Sequence, residues 1–250
     1  MSKDVNFKIN LQIDGKDKVV QASTSVKELG KAVRDTKTEA ERGFNLTSFT
    51  NLTVSLKNVA DIAAQLHSQL NGLYTAYQAQ ISAETKLATV MKQRMGASEQ
   101  DVQSILRLTA AQQQLGIIGD EVQLAGAQQI ATFLSQKSSL ELLIPAMNNL
   151  LAQQRDFNAS QGDAVSVGNM IGKVMQGQTE ALTRVGITFT EAQKKALQFG
   201  DEQQRAATLA QVITDNVGQM NAQRAATEAG RLTQVNNEIG DIKEGFGEML

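Results

Sequence analysis

"GQTEALTRVGITFTEAQKKALQFGDEQQRA", residues 177–206, cuts a helical text into short phrases. Gly177 and Gly186 bracket one helical segment, roughly Thr179–Arg184, after which Ile187-Thr188-Phe189 reads as extended chain. Thr190-Glu-Ala-Gln193 has the form of a capping box, in which two side chains satisfy the free N–H groups of a helix start reciprocally. Gly200 stands just past the helix that this box opens, and Asp201 caps a last segment that runs toward the terminus. The three glycines read as left-handed helix stops. Leu182, Ile187, Phe189 and Leu197 read as the apolar anchors that fold the pieces together. Such punctuation predicts several short helices packed compactly, and breaks any rod.

The residues before this stretch extend the helical pattern. A helix from Val165 reaches Gln176, preceded by "DFNASQGDA" (156–164) as a loop. "SSLELLIPAMNNLLAQQ" (138–154) predicts a helix that starts at Ser138 or Ser139 and kinks or restarts at Pro145. Ser98-Glu-Gln-Asp101 opens a helix that ends near Gly116, and another begins at about Asp120. Further back, Phe49, Leu52, Leu56, Val59, Ala63, Leu66, Leu70, Leu73 and Tyr77 step by three and four. They mark one long heptad helix from Gly43 to about Met95, stopped by Gly96. At the front, Val5, Phe7, Ile9, Leu11 and Ile13 alternate with polar residues, and Asp14-Gly15 signals a hairpin with a return strand at Val19-Val20. Ser23 or Ser25 then caps a helix through Val26, Leu29 and Val33. At the far end, Leu232, Val235, Ile239, Ile242, Phe246 and Met249 repeat the three-four step to the last residue. That pattern, without a C-cap, makes the chain read as the front piece of a longer one.

The fold class expected is mainly α. It comprises an N-terminal β-hairpin with a helix (1–43), one long heptad helix (44–97), and a multi-helix bundle with short Gly-bounded helices and a long C-terminal helix (98–250). Composition agrees. The chain has 250 residues, 41% hydrophobic and 4% aromatic, with one Pro and no Cys. Disulfides and thiolate metal sites are excluded, which fits an intracellular or redox-indifferent setting. There is no signal-peptide core and no apolar run near the ~18 residues that a membrane span needs. The Asn45, Asn51 and Asn158 glycosylation sequons therefore read as accidental. Residues 1–95 carry 13 Lys/Arg against 9 Asp/Glu (+4), and residues 96–250 carry 11 against 17 (−6). Neither half has the concentrated basic stripe that nucleic-acid binding requires.

The inventory for chemistry is thin. The single His67 lies mid-helix between Gln65 and Gln69, with no second ligand or nucleophile beside it. "GNMIGKV" (168–174) resembles a phosphate loop, but it is one residue short between glycines and has Val174 where Ser or Thr would hold Mg²⁺. It reads as a helix with small residues for close packing. Asp14-Gly-Lys-Asp17 fails calcium-loop spacing. Glu180 and Glu191 have helix-surface and capping roles, and Gln112–Gln114 reads as a polar helix face. No catalytic, cofactor-binding or metal-binding residue is assigned, no cofactor is expected, and the chain does not read as an enzyme.

From Ser98 to Leu250 the chain resembles the N-terminal domain of phage tail length tape measure proteins. The resemblance rests on the order Gly177, Leu182, Arg184, Gly186, Ile187, Thr190, Gly200 and Asp201, with "GDEVQLAGAQQIATFLSQ" and "LLIPAMNNLLAQQ" upstream. It implies a structural virion component that templates tail tube assembly and length. Such a protein lies in the tail tube lumen of the virion, and in the host cytoplasm during assembly. The partners implied are tail tube and tail assembly proteins, and the heptad helices suggest self-association. No site residues and no cofactor follow from it. The competing reading is a generic helical coiled-coil interaction or adaptor module.

Overall fold

In the computed structural model the backbone is described for residues 6–13, 16–23 and 56–248, and the side chains for residues 71–245. The turn at Asp14-Gly15, the helix through Val26 and Val33, and the heptad positions Phe49 and Leu52 lie outside the described residues. Contacts divide the chain into Met1–Thr75 with Glu244–Leu250, and Ala76–Lys243. In the first unit, strands β1 (Asn6–Ile13) and β2 (Lys16–Ser23) pair antiparallel, with Ile9 opposite Val20. Helix α1 (Leu56–Met95) is 40 residues long, and its residues from Ala76 onward belong to the second unit. The chain is mainly helical across the described residues.

The second unit is built around α4 (Lys137–Arg155). Leu140, Leu143, Ile144, Met147, Leu150 and Leu151 are fully buried, and Ala146 and Ala152 fill the remaining turns. A helix that is apolar on nearly every side belongs at the centre of a bundle. Around it lie α2 (Glu99–Leu115), α3 (Asp120–Ala131), α5 (Gln161–Met175), α8 (Glu202–Val217) and α9 (Met220–Ala225). The short α6 (Glu180–Thr183) follows α5, and α7 (Glu191–Phe199) packs on α8. α10 (Glu228–Glu248) closes the described chain. From α1, Leu87 and Met91 enter the same core.

Several expectations need correction. α4 starts at Lys137 and has no side-chain cap of its own. Instead the Glu202 carboxylate, from the first turn of α8, accepts from the Ser135 N–H at 2.9 Å, the Ser135 hydroxyl at 2.6 Å and the Gln136 N–H at 2.9 Å. A remote carboxylate thus does the work expected of Ser138 or Ser139, and Ser139 is buried. Pro145 sits inside α4 without a restart. The loop read over 156–164 is shorter, because Ser160 and Asp163 form a capping box and α5 begins at Gln161 rather than Val165. The segment after Asp201 is three helices, since Gly218 adopts φ +67° and ends α8.

Glycine also governs how α3 and α5 pack. A Cβ on Gly168 would lie 2.7 Å from the Gly126 carbonyl oxygen, and one on Gly172 would lie 2.1 Å from the Phe133 ring. Gly168 therefore lets α5 touch the backbone of α3, and Gly172 makes room for the Phe133 ring in the turn after α3, as the small-residue reading expected.

Candidate functional site

The Gly-bounded stretch forms a defined surface. α5 ends in a double reversal: the Gly177 N–H reaches the Val174 carbonyl at 2.8 Å and the Gln178 N–H the Lys173 carbonyl at 3.0 Å. The same pair recurs after α6, from Gly186 to Thr183 at 3.0 Å and from Ile187 to Leu182 at 3.2 Å. This is the Schellman arrangement, which needs a left-handed residue; Gly177 has φ +85° and Gly186 φ +92°. Buried Leu182 and Ile187 flank the second reversal on the two positions that usually touch in it. Gly200 departs from expectation. Its φ of −68° is extended, not left-handed, and a Cβ there would lie 2.6 Å from the Ala196 carbonyl. Gly200 thus serves close approach at a sharp corner between α7 and the Asp201 cap.

Leu182, Ile187 and Leu197 are buried as anticipated, and Phe189 is half-buried against the core. The extended residues between α6 and α7 are clipped by the Asn216 side chain of α8. Asn216 accepts from the Thr188 N–H at 2.9 Å and donates to the Thr188 carbonyl at 3.2 Å. Between α5 and α6 lies an open cleft of about 400 Å³, lined by Met170, Lys173, Gln178, Glu180, Ala181 and Arg184. Its walls carry two cations, Lys173 and Arg184, and one carboxylate, Glu180, between apolar flanks.

Of the residues singled out earlier, Glu180 lines this cleft, and Glu191 pairs with Lys194 at 2.8 Å. His67 lies on α1 outside the described side chains. Gln113 is no surface residue: it is buried, and sequence reading missed its role. Its side-chain oxygen accepts from the Asp120 N–H at 2.6 Å, while its amide nitrogen donates to both Asp241 oxygens at 3.0 and 2.8 Å. Gln80 from α1 donates to Glu84 at 2.9 Å and to Asp120 at 3.2 Å. Three helices thereby bring Glu84, Asp120, Glu121 and Asp241 into one neighbourhood, although α1 and α10 are far apart in sequence. Among the described residues no group of three or more His, Cys, Asp or Glu could hold a metal ion.

Burial, reinforced by the charges of Glu121 and Asp241, pushes the Asp120 carboxyl up from its ordinary 3.8 to about 7. Between about pH 4 and pH 7 the folded chain therefore holds a proton that the unfolded chain releases. The contribution to stability is full below pH 4, falls as pH rises to 7, and is level above. Asp120→Asn should remove that slope and stabilise the protein at pH 8 by about 2–4 kcal/mol. Urea unfolding at pH 5 and pH 8 measures it; an unchanged slope would refute the carboxyl's role.

No family model matches the chain, and no curated protein or solved structure matches it.

Proposed function

We propose that this chain is the N-terminal part of a tail tape measure protein of a phage or prophage, with residues 98–250 as an assembly or docking domain rather than the measuring rod. The observation that carries the reading is the ordered sequence resemblance from Gly177 to Asp201. It is supported by the part those residues play in the fold, where two glycine reversals, two caps and three buried anchors organise one surface with an adjoining charged cleft. A ruler measures by extended helix at about 1.5 Å per residue, and a stretch broken at Gly177, Gly186 and Gly200 does not measure.

The test is genetic. Removing heptads from the helical regions of the full-length protein should shorten tails in proportion, seen by electron microscopy. Small deletions within 177–200 should instead abolish tails without shortening them. Unchanged tail length after heptad removal would sink the ruler assignment, and proportional shortening from the 177–200 deletions would sink the docking role. A helical adaptor module is the second reading, favoured by the exposed apolar residues of α10; it predicts normal tails in both sets of deletions.

A further inference from the structure

Helix α10 lies on the body with its apolar side outward. With Leu232 as position a of a heptad, Leu232 and Ile239 occupy a, and Val235 and Ile242 occupy d. These four are 64%, 43%, 50% and 57% exposed respectively. The residues turned toward the chain itself are small or polar and fall at b, c and f. Gly230 abuts the Arg224 carbonyl so closely that a Cβ would clash at 2.0 Å. Gln234 donates to the Gln114 carbonyl at 2.9 Å, and Asp241 accepts from Gln113. Asn237 and Gly240 lie beside Gly119 and Glu121. An amphipathic helix normally buries its apolar stripe; here the polar side is tied down and the coiled-coil seam is presented.

The charges flanking the seam select what covers it. Positions g are Arg231 and Glu238, and positions e are Ala229, Asn236 and Lys243. In a parallel pair of such helices each g residue lies against the following e residue of the other strand, and these contacts set partner and orientation. Glu238 then meets the partner's Lys243, and two-fold symmetry supplies the pair twice. The antiparallel alignment that stacks Leu232 over Ile242 and Val235 over Ile239 instead places the two copies of Glu238 together at the axis. The helix is also already formed and fixed by its polar side, so little ordering is lost on association.

We propose that α10 pairs in parallel with α10 of a second copy of this chain, with Leu232, Val235, Ile239 and Ile242 as the seam and Glu238 against the partner's Lys243. This rests on the exposed seam and its flanking charges, independently of the role in tail assembly.

The full chain contains no cysteine, which makes single-cysteine cross-linking clean. Leu232→Cys and Ile242→Cys should each give a homotypic disulfide under mild oxidation, because like positions meet in a parallel pair. Thr233→Cys, on the tied side, should not. Light scattering at about 50 μM should give twice the 27.0 kDa of one chain, and the double variant Val235→Glu/Ile239→Glu should give a single chain with an unchanged helical spectrum. Glu238→Lys and Lys243→Glu should each weaken association by roughly five-fold, and the two together should restore it. Each of four results overturns the proposal: a single-chain mass for the unaltered protein, a mass that survives the double variant, a mass of three or more chains, or a disulfide that forms only between the Leu232→Cys and Ile242→Cys proteins when mixed.

Discussion

Gly168→Val should cost about 3 kcal/mol or more, at the upper end of what overpacking does to a core. Even the first carbon of the new side chain would lie 2.7 Å from the Gly126 carbonyl oxygen and 3.1 Å from the Gln129 Cβ. The obstacle is backbone, so no rotamer relieves it, and α3 and α5 must separate along their whole contact. Gly168→Ala should be milder, because the clash is offset by about 1 kcal/mol of helix propensity gained. For a chain of this length each kcal/mol lowers the melting temperature by roughly 2–4 °C. Thermal unfolding followed by circular dichroism therefore separates the two variants. A valine variant as stable as the parent would mean that the two backbones do not meet.

Met147→Ala should cost about 2–5 kcal/mol, the range for emptying a fully buried thioether site on a central helix. Its effect is coupled to a second glycine. A Cβ on Gly126 would fall 2.3 Å from the Met147 sulfur but 3.1 Å from the nearest backbone atom, the Ala164 carbonyl oxygen. Gly126→Ala should thus be destabilising alone, and should recover part of the loss when Met147 is already alanine. Neighbours that share a cavity depart from additivity by 0.5–3 kcal/mol. Urea midpoints for the two single variants and the double variant close the cycle. Strict additivity would show that the sulfur is not what Gly126 accommodates.

The local chemistry of helix ends was readable in the sequence. Ser98, Thr190 and Asp201 cap as their spacing to Asp101, Gln193 and Gln204 requires, and Gly96, Gly177 and Gly186 take positive φ at helix ends. These devices are complete within four or five residues. What differs is partly local, as at the Ser160–Asp163 box and at Gly200, and partly set by partners far along the chain. Ser160 and Asp163 looked like loop because they stand among small polar residues. The start of α4 was credited to its own serines because nothing in sequence reveals Glu202. The carboxylate neighbourhood at Asp120 draws on segments as far apart as Gln80 and Asp241, so no spacing could announce it. The heptad of α10 was legible as a period, but a period does not say which side is tied down. In α10 the decision falls to the glycines at 230 and 240 and to the amides of Gln113 and Gln234.

The turn between α2 and α3 carries a consequence for how the protein opens. Ile117 and Ile118 are buried there between two glycines, and the Ile117 N–H is held at 2.8 Å by the Asn221 side chain of α9, 104 residues away. Asn221 is in turn fixed by α4, since its own N–H donates to Asn149 at 3.1 Å. Turn amides ordinarily trade their hydrogen with water early, through local fraying that costs little free energy. This one is released only when α9 leaves its seat between α2 and α4. A slowly exchanging proton in a four-residue turn is therefore the sign that early and late segments of the bundle are closed on one another, and its rate reports their joint opening.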